Sequence, residues 1–139
     1  MKKNLIIIGS ILLVIIIGFI AVRLYTVKDI KNTNWELTGW NISSLSADVA
    51  TITLNFKGNK ISGNGGVNSY GGDYKIGLNK KIILDNIYST EMASIDPDIN
   101  RAESLYFSSL ILVRYYEVNN KVLKLFDKNN NTLLIFEKV

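Results

Sequence analysis

Between Ala50 and Phe56 apolar and polar side chains alternate: Ile52, Leu54 and Phe56 share one face, Thr51, Thr53 and Asn55 the other. A period of two predicts a strand buried on one side. Trp35–Trp40 alternates more weakly, with Trp35, Leu37 and Gly39 on one face, and reads as the first strand. Asn41–Asp48, with its serines, reads as a loop, and Lys57-Gly58-Asn59-Lys60 as a hairpin connection. Tyr74–Leu78 and Lys81–Leu84 are short strands around Asn79-Lys80, and Ile87–Met92 is extended. The period then changes. Ile99, Ala102, Tyr106, Leu110 and Val113 recur at spacings of three and four, the apolar stripe of a helix. Asp96 stands ready to cap its free amides, and Pro97 suits the first helical position, where its missing N–H costs nothing. These signals predict a helix over Pro97–Leu112. Three further strands follow at Val113–Val118, Val122–Phe126 and Thr132–Glu137, the first two joined through Asn119-Asn120-Lys121.

The stretch Ile61–Tyr74 breaks this regularity. Five of the ten glycines fall in it: Gly63, Gly65, Gly66, Gly71 and Gly72. Strand-forming Ile61, Val67, Tyr70 and Tyr74 are interleaved with them. Glycine within a strand marks a bulge, a bend or a close approach of other atoms. The stretch reads as two bent strands with Gly71-Gly72 as the tight turn between them. The domain is expected to be organised around it.

At the other extreme, Leu5–Val22 runs for 18 residues without a charge. As a helix it is about 27 Å long, close to the ~30 Å hydrocarbon core of a bilayer. An uncleaved anchor competes with a cleaved signal peptide. Cleavage after Ala21 would put Phe19 where a small residue is required, so the anchor is favoured. Without cysteine there is no lipoprotein anchor. Lys2 and Lys3 hold the N-terminus in the cytoplasm, while Arg23, Lys28 and Lys31 pull the other way. The expected arrangement is a single-pass bacterial membrane protein with its domain outside the cytoplasm. The expected organisation is a membrane anchor over 1–28, a linker over 29–33 and a folded domain over 34–139.

Charge sharpens this picture. The net charge of +4 resides entirely in Lys2, Lys3, Arg23 and Lys28; beyond them 12 basic residues balance 12 acidic ones. A neutral domain offers no basic stripe for nucleic acid. Cysteine and histidine are both absent, which removes thiolate metal sites, disulfides and His-based triads. No phosphate loop or dinucleotide fingerprint is present, so no cofactor and no metal is expected. The pattern as a whole predicts a mainly β domain with one helix. It is either a small antiparallel β-barrel or a strongly curled sheet packed on the helix, preceded by an N-terminal transmembrane helix.

Several motifs in order resemble the META domain, the family of the bacterial heat-shock protein HslJ. They are Trp35-Glu36-Leu37, Thr53-Leu54-Asn55-Phe56, Ser62–Tyr74, Ser89-Thr90-Glu91-Met92-Ala93-Ser94, Glu103-Ser104-Leu105-Tyr106 and the strands of Tyr116–Phe136. The resemblance covers 34–138. It departs from the family where Val67 and Ser94 replace the two usual cysteines. It implies a small, mostly β domain of the bacterial envelope, in a family linked with heat shock, antibiotic tolerance or secretion and without an established catalytic activity.

Asn68, Tyr70 and Tyr74 are the family-like polar residues of the glycine stretch, and Glu91 lies in the segment before the helix. One reading makes them a binding edge. The other has Asn68 bonding bent backbone, the tyrosines packing the sheet, and Thr90, Glu91 and Ser94 bonding locally. Asp73, Glu91, Asp96 and Asp98 are the carboxylates near these motifs, at no spacing that demands a paired-carboxylate hydrolase. An enzyme is therefore not expected. Two other functions remain: a tethered envelope accessory domain that contacts another protein, and a barrel that binds a small hydrophobic ligand or lipid. An apolar cavity among Ile52, Leu54, Phe56, Leu123 and Leu125 would favour the second.

Overall fold

A computed structural model describes the backbone of residues 2–28 and 30–139 and the side chains of 7–21 and 30–139. Helix α1 spans Lys2–Lys28, and its side chains from 7 to 21 are all exposed. Among the described residues no helix is long and apolar enough to cross a membrane. The uncharged run Leu5–Val22 extends past residues 7–21 at both ends, so its outer side chains lie outside those described.

The remainder is a mainly β domain. Strands β1 (Thr33–Trp40), β2 (Thr53–Lys57), β3 (Lys60–Asn64), β4 (Ser69–Ile76) and β5 (Ile82–Ser89) precede helix α2 (Pro97–Leu112). Strands β6 (Tyr115–Asn119), β7 (Val122–Phe126) and β8 (Thr132–Lys138) follow it. They form one eight-stranded antiparallel sheet in the order β5-β4-β3-β2-β1-β8-β7-β6. The sheet curls until its two outer strands touch at a bridge between Lys81 and Tyr115. Ile82 N–H donates to Arg114 O (2.9 Å) and Tyr116 N–H to Lys80 O (3.0 Å) beside that bridge. Of the two expected architectures, this is the strongly curled sheet, a half-barrel that closes only locally.

The alternation of β2 survives intact: Ile52, Leu54 and Phe56 are buried, and Leu37 N–H donates to Ile52 O at 2.8 Å. Helix α2 has the predicted bounds. Asp96 accepts the Asp98 N–H at 2.9 Å, and Ala102, Tyr106 and Leu110 are fully buried. Its last turn is closed by Arg114, whose guanidinium donates to the carbonyls of Ile111 (2.9 Å) and Val113 (2.6 Å). Ile30 lies in the stretch read as a linker, yet it is fully buried in the core; residue 29 lies outside those described.

Other details differ from expectation as well: β5 is one strand that ends at Ser89, where the sequence predicts separate segments at Lys81–Leu84 and Ile87–Met92. A bulge between Leu37 and Gly39 shifts the β1–β8 register, so Trp40 joins Trp35 and Leu37 in the core. Its indole N–H donates to Leu45 O at 2.6 Å. The glycine stretch does turn, but at residues 65–68, not at Gly71-Gly72. Those two glycines sit inside β4, paired with Ser62 and Ile61 of β3. At Gly72 the lack of a side chain serves space: a Cβ there would stand 3.0 Å from the Asp85 carbonyl oxygen of β5.

Candidate functional site

The turn from β3 to β4 is built on glycine. Gly65 N–H donates to Asn68 O at 2.7 Å, and Gly66 takes φ +122°, a conformation that L side chains rarely adopt. Helix α2 holds this turn through one carboxylate. Glu103 Oε1 accepts the N–H groups of Val67 (3.1 Å) and Asn68 (2.6 Å), and its Oε2 accepts Asn68 Nδ2 at 2.7 Å.

Asn68 carries the same junction to the segment after β5. Its Nδ2 also donates to Met92 O at 3.0 Å. Its Oδ1 accepts from Met92 N–H (2.7 Å) and the Thr90 hydroxyl (2.8 Å). The side chain is 5% exposed, and both amide hydrogens and the carbonyl oxygen are engaged within the protein. A buried amide satisfied on every side is a joint between three chain segments. Ser94, two residues beyond Met92, accepts the Asp96 N–H at 3.1 Å and donates its own N–H to Asn100 Oδ1 at 2.9 Å.

Tyr70 and Tyr106 form a buried phenol pair with 2.5 Å between their oxygens. Tyr70 donates its proton to Thr53 O at 2.8 Å, which makes Tyr106 the donor to Tyr70. Burial pushes both phenols above their usual range. The Tyr70 ring also meets Phe107 edge-on, centroids 5.5 Å apart. Tyr74 is buried too; its ring packs edge-on against Phe56 at 4.9 Å, and its hydroxyl donates to Gly58 O at 3.0 Å. Glu91 is exposed. Asn68, Tyr70 and Tyr74 thus have their polar atoms bonded inside the protein, with Glu91 apart from them on the surface.

The carboxylates have separate tasks. Asp73 pairs with Lys60 (2.6 Å) and accepts from Asn86 Nδ2 (2.8 Å); chiefly the Asn86 hydrogen bond, then Lys60, holds it below the usual carboxylate range. Asp96 is the helix cap. Asp127 ties its own loop together through Asn129 and Asn131.

A cleft of about 470 Å³ opens between β5 and α2, and none of the four proposed site residues lines it. Leu84, Ile87, Tyr88, Phe107 and Ile111 supply its apolar wall, and Asp85, Asn86 and Ser89 its polar one. Asn86, at φ 50°, sits in an irregularity of the β4–β5 ladder that bends the strand. Tyr88 and Ile111 are 71% and 64% exposed. The signal for this cleft in the chain is slight: Phe107 and Ile111 are apolar but lie off the buried stripe of α2, and β5 alternates imperfectly.

A family model described as META domain matches residues 28–139. The chain belongs to the META domain family. No curated protein matches it. Among solved structures, this META domain is similar to a protein from Burkholderia xenovorans determined by NMR. The two share 25% identity with a TM-score of 0.68, over 83% of this chain and 87% of that one. A second NMR structure is 18% identical with a TM-score of 0.60, over 79% of this chain and 92% of the other. A crystal structure of a DUF4847 family protein from Bacteroides vulgatus, 12% identical over 80% of this chain and 95% of that one, has a TM-score of 0.55. The last two share the fold alone. The family expectation from Trp35-Glu36-Leu37, the glycine stretch and the Ser89–Ser94 motif therefore holds.

Proposed function

We propose that this META domain protein is a membrane-tethered accessory protein of the bacterial envelope, non-catalytic and stress-related, whose domain lies outside the cytoplasm and contacts another envelope protein. The observation that carries this reading is the filled interior. Ile52, Leu54, Leu123 and Leu125 are 0% exposed and Phe56 1%, in one core with Tyr106 and Phe136. These are the side chains that would line a lipid cavity, and they pack on one another instead. The buried polar groups of the glycine stretch are likewise spent on internal bonds. The half-apolar cleft between β5 and α2 is open to a partner. The tether is supported by the uncharged run Leu5–Val22, whose apolar side chains from Ile7 to Ile20 are exposed.

The test is a photo-crosslinking residue at Ile111 or Tyr88 in the full chain, in intact cells. A discrete adduct from the cleft, missing when the residue is moved to exposed Thr38, is the expected result. A C-terminal reporter active only outside the cytoplasm checks the orientation. An expressed but inactive fusion refutes the exported domain.

A further inference from the structure

Strand β5 stands at one end of the sheet order, and the sheet closes on it at the bridge of Lys81 with Tyr115. That bridge is antiparallel, so the residues before Tyr115 run alongside those after Lys81. They are the end of α2. Ile82 N–H donates to Arg114 O at 2.9 Å, and further on Ile111 and Phe107 face Leu84 to Ser89 across the cleft. Beyond Ile82, a helix and a cleft of about 470 Å³ therefore take the place of a neighbouring strand.

An edge strand leaves a row of backbone groups without a ladder partner. The bonds at either end of β5 say which groups these are. Lys81 O accepts from Gly77 N–H (2.8 Å) on the β4 side, while Ile82 N–H points away to Arg114. Backbone direction alternates along a strand, so Leu84 points as Ile82 does. Past the irregularity at Asn86, Thr90 N–H donates to Ser69 O at 3.0 Å, so Ser89 again points away from β4. Among the described residues, nothing bonds the outward N–H and C=O groups of Leu84 and Ser89. The side chains around them are divided. Leu84, Ile87 and Phe107 pack against the core from the edge, and Ile111 extends this apolar wall outward. Asp85 is the one charged residue lining the cleft, and among the described residues no cation pairs with it.

We infer that the cleft receives an extended peptide segment of the partner protein as a ninth strand, bonded to the open backbone of Leu84 and Ser89. Every second side chain of that segment is apolar and meets Leu84, Ile87, Phe107 and Ile111, and a Lys or Arg stands beside Asp85. In strand addition main-chain bonds supply affinity, and alternate side chains supply selectivity. A segment of about six residues, at ~3.3 Å each, spans the edge. Because α2 lies along that edge, the opening admits a single strand and excludes the sheet of a second folded copy. The proposal rests on the reading of this protein as a partner-binding domain. It adds what the partner presents: backbone in extended conformation with a basic residue, in place of a folded surface.

The probe is a phage-displayed library of random octapeptides, selected on the full-length protein in phosphatidylcholine nanodiscs. Enriched sequences should carry apolar residues at every second position and a Lys or Arg. Selection on Asp85→Lys should replace that cation with Asp or Glu. An enriched peptide, made synthetically, should slow amide exchange at Leu84 and Ser89 and leave β6, on the other edge of the sheet, unchanged. Ser89→Pro removes one outward N–H and no ladder bond. It should weaken binding about tenfold, the loss of one hydrogen bond, with the circular dichroism spectrum kept. Ile111→Lys, on the exposed side of α2, should weaken it independently. No enriched sequence, or a bound peptide that leaves Leu84 and Ser89 exchanging freely, overturns strand addition. Concentration-dependent protection of those amides without peptide shows a second copy on the edge and overturns it too. Crosslinking in cells separates this proposal from the reading beneath it. Adducts at Ile111 or Tyr88 combined with unprotected amides mean that a partner binds there by another mode. Absence of adducts removes the partner and this proposal together.

Discussion

Glu103 grips Asn68 twice, accepting its backbone N–H at 2.6 Å on one oxygen and its side-chain amide at 2.7 Å on the other. The two residues come from α2 and from the glycine turn, 35 positions apart. Through them the helix, the turn and the Met92 segment become one unit.

Glu103→Ala should therefore destabilise by about 1–3 kcal/mol for each buried donor left without an acceptor. Glu103→Gln keeps one carbonyl oxygen and should cost less. Urea denaturation checks this: the midpoint should fall in the order Gln then Ala, at an unchanged slope.

Gly63 has no room for a side chain, because a Cβ there would lie 2.0 Å from Thr53 O, the same carbonyl that Tyr70 bonds. Backbone must shift to admit it. Gly63→Ala should cost more than about 4 kcal/mol, in the exceptional range for one substitution. Gly39→Ala meets Ile135 at 3.8 Å, an ordinary contact, and should be mild by comparison. Thermal unfolding of the two variants side by side measures the contrast.

The phenol pair predicts alkaline sensitivity. Burial raises both Tyr70 and Tyr106 in the folded state, while the unfolded chain titrates near the ordinary tyrosine value of about 10. Above that pH the unfolded state loses protons that the folded state keeps. Stability is thus fully present below about pH 10 and falls by about 1.4 kcal/mol per pH unit for each such tyrosine as pH rises. Tyr106→Phe should cost about 0.5–1.5 kcal/mol at neutral pH for its lost hydrogen bond. It should also make the alkaline decline shallower, which denaturation curves at a series of pH values will reveal.

Asn68 binds both the N–H and the carbonyl of Met92, one residue from Val67 on one side and two from Ser94 on the other. These are the positions where the family pattern carries cysteine. Val67→Cys with Ser94→Cys should oxidise readily and stabilise by about 3–4 kcal/mol. Thiol titration and the shift in urea midpoint on reduction test it; thiols that stay free under mild oxidation place the two Cα atoms outside disulfide range.

Local chemistry was enough for the elements with a local cause. Asp96 and Pro97 start α2 at the predicted residue because a cap bonds amides two positions away. Ile52, Leu54 and Phe56 are buried as read, because a period of two is a property of the strand itself. The family could be recognised for the same reason, since its motifs are ordered along the chain. What the sequence could not decide depends on atoms far away in it. Gly71-Gly72 looks like a turn until the ladder brings the Asp85 carbonyl of β5 against Gly72, where a side chain would crowd backbone. Trp40 is buried only because β8 imposes a bulge on β1. Asn68 is legible as a polar residue near a bend, but its partners Thr90, Met92 and Glu103 lie 22 to 35 residues on. The cleft between β5 and α2 and the closing bridge of Lys81 with Tyr115 are equally non-local. Each depends on how far the sheet curls, and that curl is set by the summed twist of eight strands packed on one helix.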